Sequence, residues 1–348
     1  MTDTAAANRT AYQELEARFA RHARLSEVTE LLHWDMSTMM PDGGAEARAA
    51  QLATLKVLGH EMMTDPALGD YLEAAAEDRS LDLWQQANLR EMRHGWLRTN
   101  AVDKRIVEAL SDASLRCEMI WREARAKSDF ALVRPALATV LELVRERAGQ
   151  LAAALGLDPY DALLDGYEPG GRAADIDVVF GDLARFLPGF IGQVLDRQAS
   201  RPAPLALPGP FDLGAQRQLC RALMQAVGFD FKHGRLDESH HPFCGGVPED
   251  VRLTTRYDAN DFMQGIMGVL HETGHALYDQ GLPAQWRHQP VGEARGMSIH
   301  ESQSLLIEMQ ASRSREFIAY LAPLLRDAFG GAGPAWEAEN IHAHYVRV

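Results

Sequence analysis

The chain has 348 residues and a formal net charge of −14 at pH 7. At ~150 residues per domain it holds two domains or one large one. Its hydrophobic fraction of 46% with 24% charged residues excludes the disordered and fibrous classes. The acidic balance and the scatter of the basic residues exclude a nucleic-acid binder.

The first nineteen residues, MTDTAAANRTAYQELEARF, contain no apolar signal region, and no stretch is read as the ~18 apolar residues of a membrane span. The three cysteines, Cys117, Cys220 and Cys244, are odd in number and lack metal-type spacing. They are expected to be reduced thiols, and the chain is expected to be cytoplasmic, with no membrane partner.

Up to about residue 200, Glu, Arg, Ala and Leu dominate, and apolar positions recur at three and four. Tyr12, Leu15 and Phe19 show this period, further on Val28, Leu31 and Leu32, and again Leu137, Val140, Leu141, Val144, Ala148 and Leu151. Residues 1–200 are therefore read as an N-terminal helical region. Pro202, Pro204, Pro208 and Pro210 follow, and they fix φ and remove backbone donors. That segment is the expected boundary before a second region, 211–348. Here a helix is expected around Gln216 to Val227, then a Gly/Pro-punctuated stretch from His233 to Glu249. Val251, Leu253 and Thr255 then alternate with Arg252, Thr254 and Arg256, as in a short half-buried strand. The pattern predicts a mainly α fold with little strand.

Residues 260–280 read as one helix, with Asn260 as N-cap, Phe262, Met263, Ile266, Met267 and Leu270 as its apolar face, and Gly281 and Pro283 as its stop. Within it stands His271-Glu272-Thr273-Gly274-His275. Residues four apart share a helix face, so both imidazoles reach one cation and Glu272 lies beside it as a general base. A zinc ion there polarises a carbonyl and acidifies water, which is the chemistry of peptide-bond hydrolysis. Two histidines arising by accident are the alternative. Gly274 costs about 1 kcal/mol in a helix interior, which points to a close approach at that position.

A catalytic zinc site takes a third protein ligand. Asp279, Glu293 and Glu301 are the candidates. Asp279 lies one turn past His275 on the same helix and is assigned to the surroundings of the site or to solvent. Glu293 falls in the connection between helices. Glu301 opens the next expected helix, Ile299 to about Phe317, which would bring it to the metal by antiparallel packing. Ser298 and Glu301 also match a capping box, so spacing alone leaves both readings of Glu301 open.

The chain resembles the carboxypeptidase Taq family of zinc metallopeptidases. The resemblance rests on LHWDMSTMMPDGGAEARAAQLATL from Leu32, IWREARAKSDF from Ile120 and YDALLDGYEPG from Tyr160. It rests further on His241-Pro242-Phe243, the D-x-R-x-T pattern from Asp250 to Thr254, the HETGH pentapeptide and His300-Glu301-Ser302-Gln303. It implies zinc ligands His271, His275 and Glu301, with Glu272 as the catalytic glutamate. It also implies a large helical body with a deep active-site cleft and a small sheet beside the zinc helix, homodimers, and removal of single residues from peptide C-termini with broad specificity.

An exopeptidase must hold the substrate's free carboxylate, a task suited to a guanidinium fork, and Arg252 and Arg347 are the candidates. The alternative for Arg252 is an ion pair with Asp250. His241 resembles a substrate-facing motif histidine, and the alternative is that it shapes the turn before Pro242. The final Tyr345-Val346-Arg347-Val348 resembles the opening of a longer I/V-R-x-x-A-D motif, so the family pattern implies further cleft residues beyond it. Cobalt or manganese could occupy the same ligands. The competing functions are an oligopeptidase acting on internal bonds and a zinc-binding protein without turnover.

Overall fold

The computed structural model describes residues 9–239 and 242–348. His241 therefore lies outside the described residues. The architecture is mainly helical with one small sheet. In chain order the helices are α1 (Ala11–Thr38), α2 (Ala45–Met63), α3 (Pro66–Ala76), α4 (Leu83–Asn100), α5 (Lys104–Ala126), α6 (Phe130–Leu155), α7 (Pro159–Leu164), α8 (Ala173–Ala199) and α9 (Leu213–Ala226). After the sheet come α10 (Phe262–Gln280), α11 (Met297–Leu305), α12 (Arg315–Phe329) and α13 (Ala338–Tyr345).

The chain divides into two compact units, and neither is one continuous segment. The first comprises 1–23, 56–177 and the short strap 286–291. Its core joins Tyr12, Leu15 and Phe19 of α1, periodic positions expected to be buried, to Leu68 and Leu72 of α3 and Met92 of α4, whereas Val28, Leu31 and Leu141, expected on the same period, are exposed. Helix α4 starts on a reciprocal cap, with Asp82 accepting from the Gln85 N–H at 2.8 Å while the Gln85 side chain accepts from the Asp82 N–H at 2.9 Å. The strap is held by Asn88, which is fully buried. Its amide donates to Tyr12 Oη and Gln289 Oε1, and its carbonyl accepts from the Val291 N–H.

The second unit comprises 24–55, 178–285 and 292–348, so the proline-rich 201–210 segment lies inside it. Its sheet has the order β1-β3-β2, from β1 (Gly234–Glu238), β2 (Cys244–Val247) and β3 (Asp250–Thr255). Strand β3 is the expected one. It pairs parallel to β1, with Arg235 opposite Arg252, and antiparallel to β2, with Gly245 opposite Arg252. The stretch read as merely punctuated by Gly and Pro thus supplies both edge strands. They are too short and glycine-rich to give an alternating signal. Val251 and Leu253 are fully buried against Leu223 and Met224 of α9 and Ile266 and Leu270 of α10, with Ile318, Leu321 and Leu325 of α12 closing the same core.

Two expectations fail. The helix expected from Ile299 to Phe317 is interrupted: α11 passes into a π-helical turn, Leu306–Ala311, closed by the Ser312 N–H donating to the Ile307 carbonyl at 2.8 Å. Ser314 then caps a new helix by accepting from the Phe317 N–H at 3.1 Å. Secondly, α8 is long and apolar enough to cross a membrane by length and composition, although no such stretch was expected. Between Val178 and Leu195 it carries only Asp182 and Arg185 as charges. No residue of α8 is buried, and Val178, Phe180 and Phe186 are all more than half exposed.

Candidate metal centre

Helix α10 begins on Asp261, one residue later than expected, whose carboxylate accepts from the Met263 and Gln264 N–H groups. From Phe262 to Ala276 it is almost wholly buried, which fixes its rotation about its axis. Its neighbour α11 crosses it in contact. An added Cβ at Gly274 would stand 2.4 Å from the Gln303 carbonyl oxygen and 2.5 Å from Ser304 Cα. Gly274 is thus the close approach that its helix penalty suggested.

That contact carries Glu301 to the histidines. Glu301 Oε2 lies 3.6 Å from His271 Nε2 and 3.7 Å from His275 Nε2, and the three donor atoms lie within 4.8 Å of one another. Tetrahedral zinc with bonds near 2.05 Å would space its ligands by roughly 3.3 Å, so this two-imidazole, one-carboxylate set fits a divalent ion. Helix α11 starts at Met297 after Gly296, which offers no side-chain cap. Ser298 therefore lies inside the first turn, and the capping-box reading does not describe Glu301. Its Oε2 instead accepts from Ser304 Oγ at 2.8 Å.

Each histidine has an outer partner. His271 Nδ1 is 3.0 Å from Glu308 Oε2, and because an ionised carboxylate only accepts, the imidazole proton sits on Nδ1 and the Nε2 lone pair faces Glu301. His275 Nδ1 is 2.6 Å from His300 Nδ1, and His300 Nε2 is 3.4 Å from Asp279 Oδ1. When His275 presents its Nε2 lone pair, its Nδ1–H donates and His300 accepts. Burial, with the neighbouring His300 adding to it, pushes His275 below the ordinary histidine range, while the hydrogen bond to Asp279 holds His300 above it. His275 is thus kept neutral, as a ligand must be.

Glu272 points into the same buried region and is 9% exposed. Burial raises its carboxyl to about 7, with His271 pulling down and Glu301 pushing up. A carboxyl so placed exchanges protons near neutrality, as a general base requires. Strand β2 packs against α10, and burial, with the charges of Asp279 and Glu272, pushes the Cys244 thiol well up. Cys244, Gly245 and Gly246 wall a cavity together with Glu30, His33 and Trp34.

The structure joins His271, Glu272, His275 and Glu301 but does not join the other candidates to them. Arg252, a candidate anchor for substrate, forms the ion pair that was its alternative, with Nη2 2.6 Å from Asp250 Oδ2, and its guanidinium lies 4.2 Å from the centre of the Trp34 ring. Arg347 is exposed, two residues beyond α13. Asp279 pairs with His300, the partner of His275. Glu293 is exposed, just beyond the strap. Sequence reasoning missed Glu308 and the partnership of His300 with His275. Glu308 follows Glu301 by seven residues, two helical turns on one face, which is the signal that could have exposed it.

Two helix-borne imidazoles, a facing carboxylate and a buried glutamate between them define a metallopeptidase of the H-E-x-x-H class. A family profile described as carboxypeptidase Taq (M32) metallopeptidase matches residues 14–348, and the chain belongs to that family. It is 39% identical to thermostable carboxypeptidase 1 of Thermus thermophilus over 345 residues, covering 95% of this chain and 67% of that protein. To thermostable carboxypeptidase 1 of Pyrococcus furiosus it is 30% identical, covering 90% and 63%. Among solved structures, metallocarboxypeptidase 1 of Trypanosoma cruzi superposes with a TM-score of 0.92 at 39% identity, over 95% of this chain and 67% of that one. The M32 carboxypeptidase of Deinococcus radiodurans R1 gives 0.87 at 31% identity, over 95% and 66%. The chain therefore spans about two thirds of the length of the relatives it matches.

Proposed function

We propose that this chain is a zinc-dependent carboxypeptidase that removes single residues from peptide C-termini with broad specificity. The observation that carries this reading is the convergence of His271 Nε2, His275 Nε2 and Glu301 Oε2 beside the buried Glu272 carboxyl. When bound there, the ion would polarise the scissile carbonyl and make water acidic near neutral pH. Glu272 accepts the proton of the attacking water and returns it to the nitrogen of the departing residue. His271, His275 and Glu301 hold position, and the partners of the two imidazoles fix which nitrogen faces the site.

Arg252 is the favoured anchor for the substrate's free carboxylate, because it rests on Trp34, which walls the cavity next to Cys244. Its pairing with Asp250 means that substrate must share or displace that partner. Arg347 and His241 are weaker assignments drawn from the family pattern. The cytoplasmic assignment is supported by Cys117, Cys220 and Cys244, all free thiols. The homodimer reading rests on the resemblance alone, and sedimentation of the purified chain tests it.

The deciding experiment combines metal analysis with a mass-ladder assay of a free and a C-terminally amidated peptide, each with and without chelator. The expected result is stoichiometric zinc, stepwise shortening of the free peptide, and loss of most activity on the amide. Equal rates on both would identify an oligopeptidase instead. Stoichiometric zinc without any cleavage would identify a binding protein without turnover.

A further inference from the structure

Glu308, the partner of His271, is carried on a π-helical turn that interrupts the helix begun by α11. A π-helical turn is rare and costs good hydrogen-bond geometry, so its position calls for a cause. Glu308 ends in two contacts. One carboxylate oxygen meets His271 Nδ1, and the other meets the guanidinium of Arg313. In an uninterrupted α-helix, residues five apart point about 140° from one another, on nearly opposite sides. The π-helical turn departs from that rotation and ends two residues before Arg313, whose guanidinium reaches back to Glu308. Arg313 is itself held, its Nη1 donating to the Tyr345 carbonyl oxygen at 3.3 Å at the end of α13. The Glu308 side chain is only 15% exposed, so its charge is shielded from water and Arg313 is the cation that balances it.

We propose that Glu308 and Arg313 are positioning residues for the metal ligand His271, and that the π-helical turn exists to pair them. Glu308 holds the His271 ring in one orientation and one tautomer. Arg313 confines Glu308 to the rotamer that does so. The inference rests on the metal-centre reading above, since His271 must be a ligand for its orientation to matter.

The test uses the 348-residue chain and three readouts: Zn2+ affinity by competition with a chromophoric chelator, the visible spectrum of the Co2+ form, and thermal melting of the metal-free protein. Glu308→Ala and Arg313→Met are expected to weaken Zn2+ binding about 10–100-fold. Glu308→Gln, which keeps an acceptor for Nδ1–H, should lose less than Glu308→Ala, and Arg313→Lys should restore part of the Arg313→Met loss. The Co2+ spectrum should change in Glu308→Ala while metal-free melting stays near that of the parent. Zn2+ affinity within twofold of the parent in both Glu308→Ala and Arg313→Met would overturn the inference. So would a loss that only tracks a fall in metal-free melting, with an unaltered Co2+ spectrum. His271→Ala separates the two levels: if it abolishes binding and Glu308→Ala does nothing, only the positioning role fails, whereas a parent that binds no Zn2+ overturns the metal centre as well.

Discussion

Helices α8 and α10 are both rich in apolar residues and glycine, and they have opposite fates. The 19 residues of α10 are mostly buried, and its Gly274 meets the backbone of α11 at closer than van der Waals distance from an added methyl. The 27 residues of α8 include none that is buried, and Gly189 and Gly192 have no atoms within 4 Å of where a methyl would go. Apolar composition thus says that a helix can be buried, while burial itself needs neighbouring segments, which α10 has among the described residues. Three titratable side chains of α10, His271, Glu272 and His275, sit at the metal centre, where two other helical segments bring partners to the imidazoles.

The largest expected effect falls on Glu272. Glu272→Gln should lower kcat by about 10²–10⁴-fold with zinc content unchanged, measured by peptide cleavage and metal analysis. Unchanged turnover would remove the general base from the account. Leu270→Ala, on the same helix and fully buried, should cost about 2–5 kcal/mol in urea unfolding. Phe186→Ser on the exposed α8 should stay within about 0.5 kcal/mol. Similar values for the two would erase the contrast.

Glu272 also links stability to pH in the metal-free protein. Its folded carboxyl titrates at about 7 against 4.5 for the free group, so between those values the native state holds a proton that the unfolded chain has released. The contribution is fully present below pH 4.5 and is lost as pH rises toward 7, on the order of 2–3 kcal/mol. Glu272→Gln should flatten that slope in chemical unfolding measured at pH 5 and pH 8.

Smaller effects come from the glycines. Gly274→Ala should destabilise by about 1–3 kcal/mol and weaken zinc binding at the same time, because α11 and Glu301 must move away from α10. Gly192→Ala in open space should instead stabilise by about 0.5–1 kcal/mol. Paired thermal melts read both signs, and equal signs would show that the backbone contact at Gly274 has no energetic consequence.

The local features of the site were legible in the sequence. The H-E-x-x-H spacing, the apolar face of α10 and the cost of Gly274 are properties of a single helix, and each was readable from its own few residues. Glu301 needed more, because its role depends on where α11 packs, and spacing alone left it balanced against a cap until the family pattern was considered. Glu308 had only its seven-residue spacing from Glu301 as a signal, and its meeting with Arg313 was out of reach, because propensities do not announce a π-helical turn. Arg252 was half legible: its ion pair with Asp250 follows from neighbouring positions on one face of a strand, while its stacking on Trp34 joins residues over two hundred positions apart. The exposure of α8 could not be read at all, since burial is a property of neighbours that the helix does not encode.

The buried amide of Asn88 adds a constraint on how the molecule is made. Its partner Gln289 is 201 residues further along the chain, which at ribosomal speeds of ~5–20 residues per second is roughly 10–40 s of synthesis. Throughout that interval the Asn88 side chain has Tyr12 within the chain already made but lacks Gln289 and the Val291 N–H, with a cost that disfavours complete closure of the first unit. The strap lies between the two metal-bearing helices in sequence, so it is translated after α10 and before α11. The polypeptide therefore completes its earliest core only while it is producing its reactive centre.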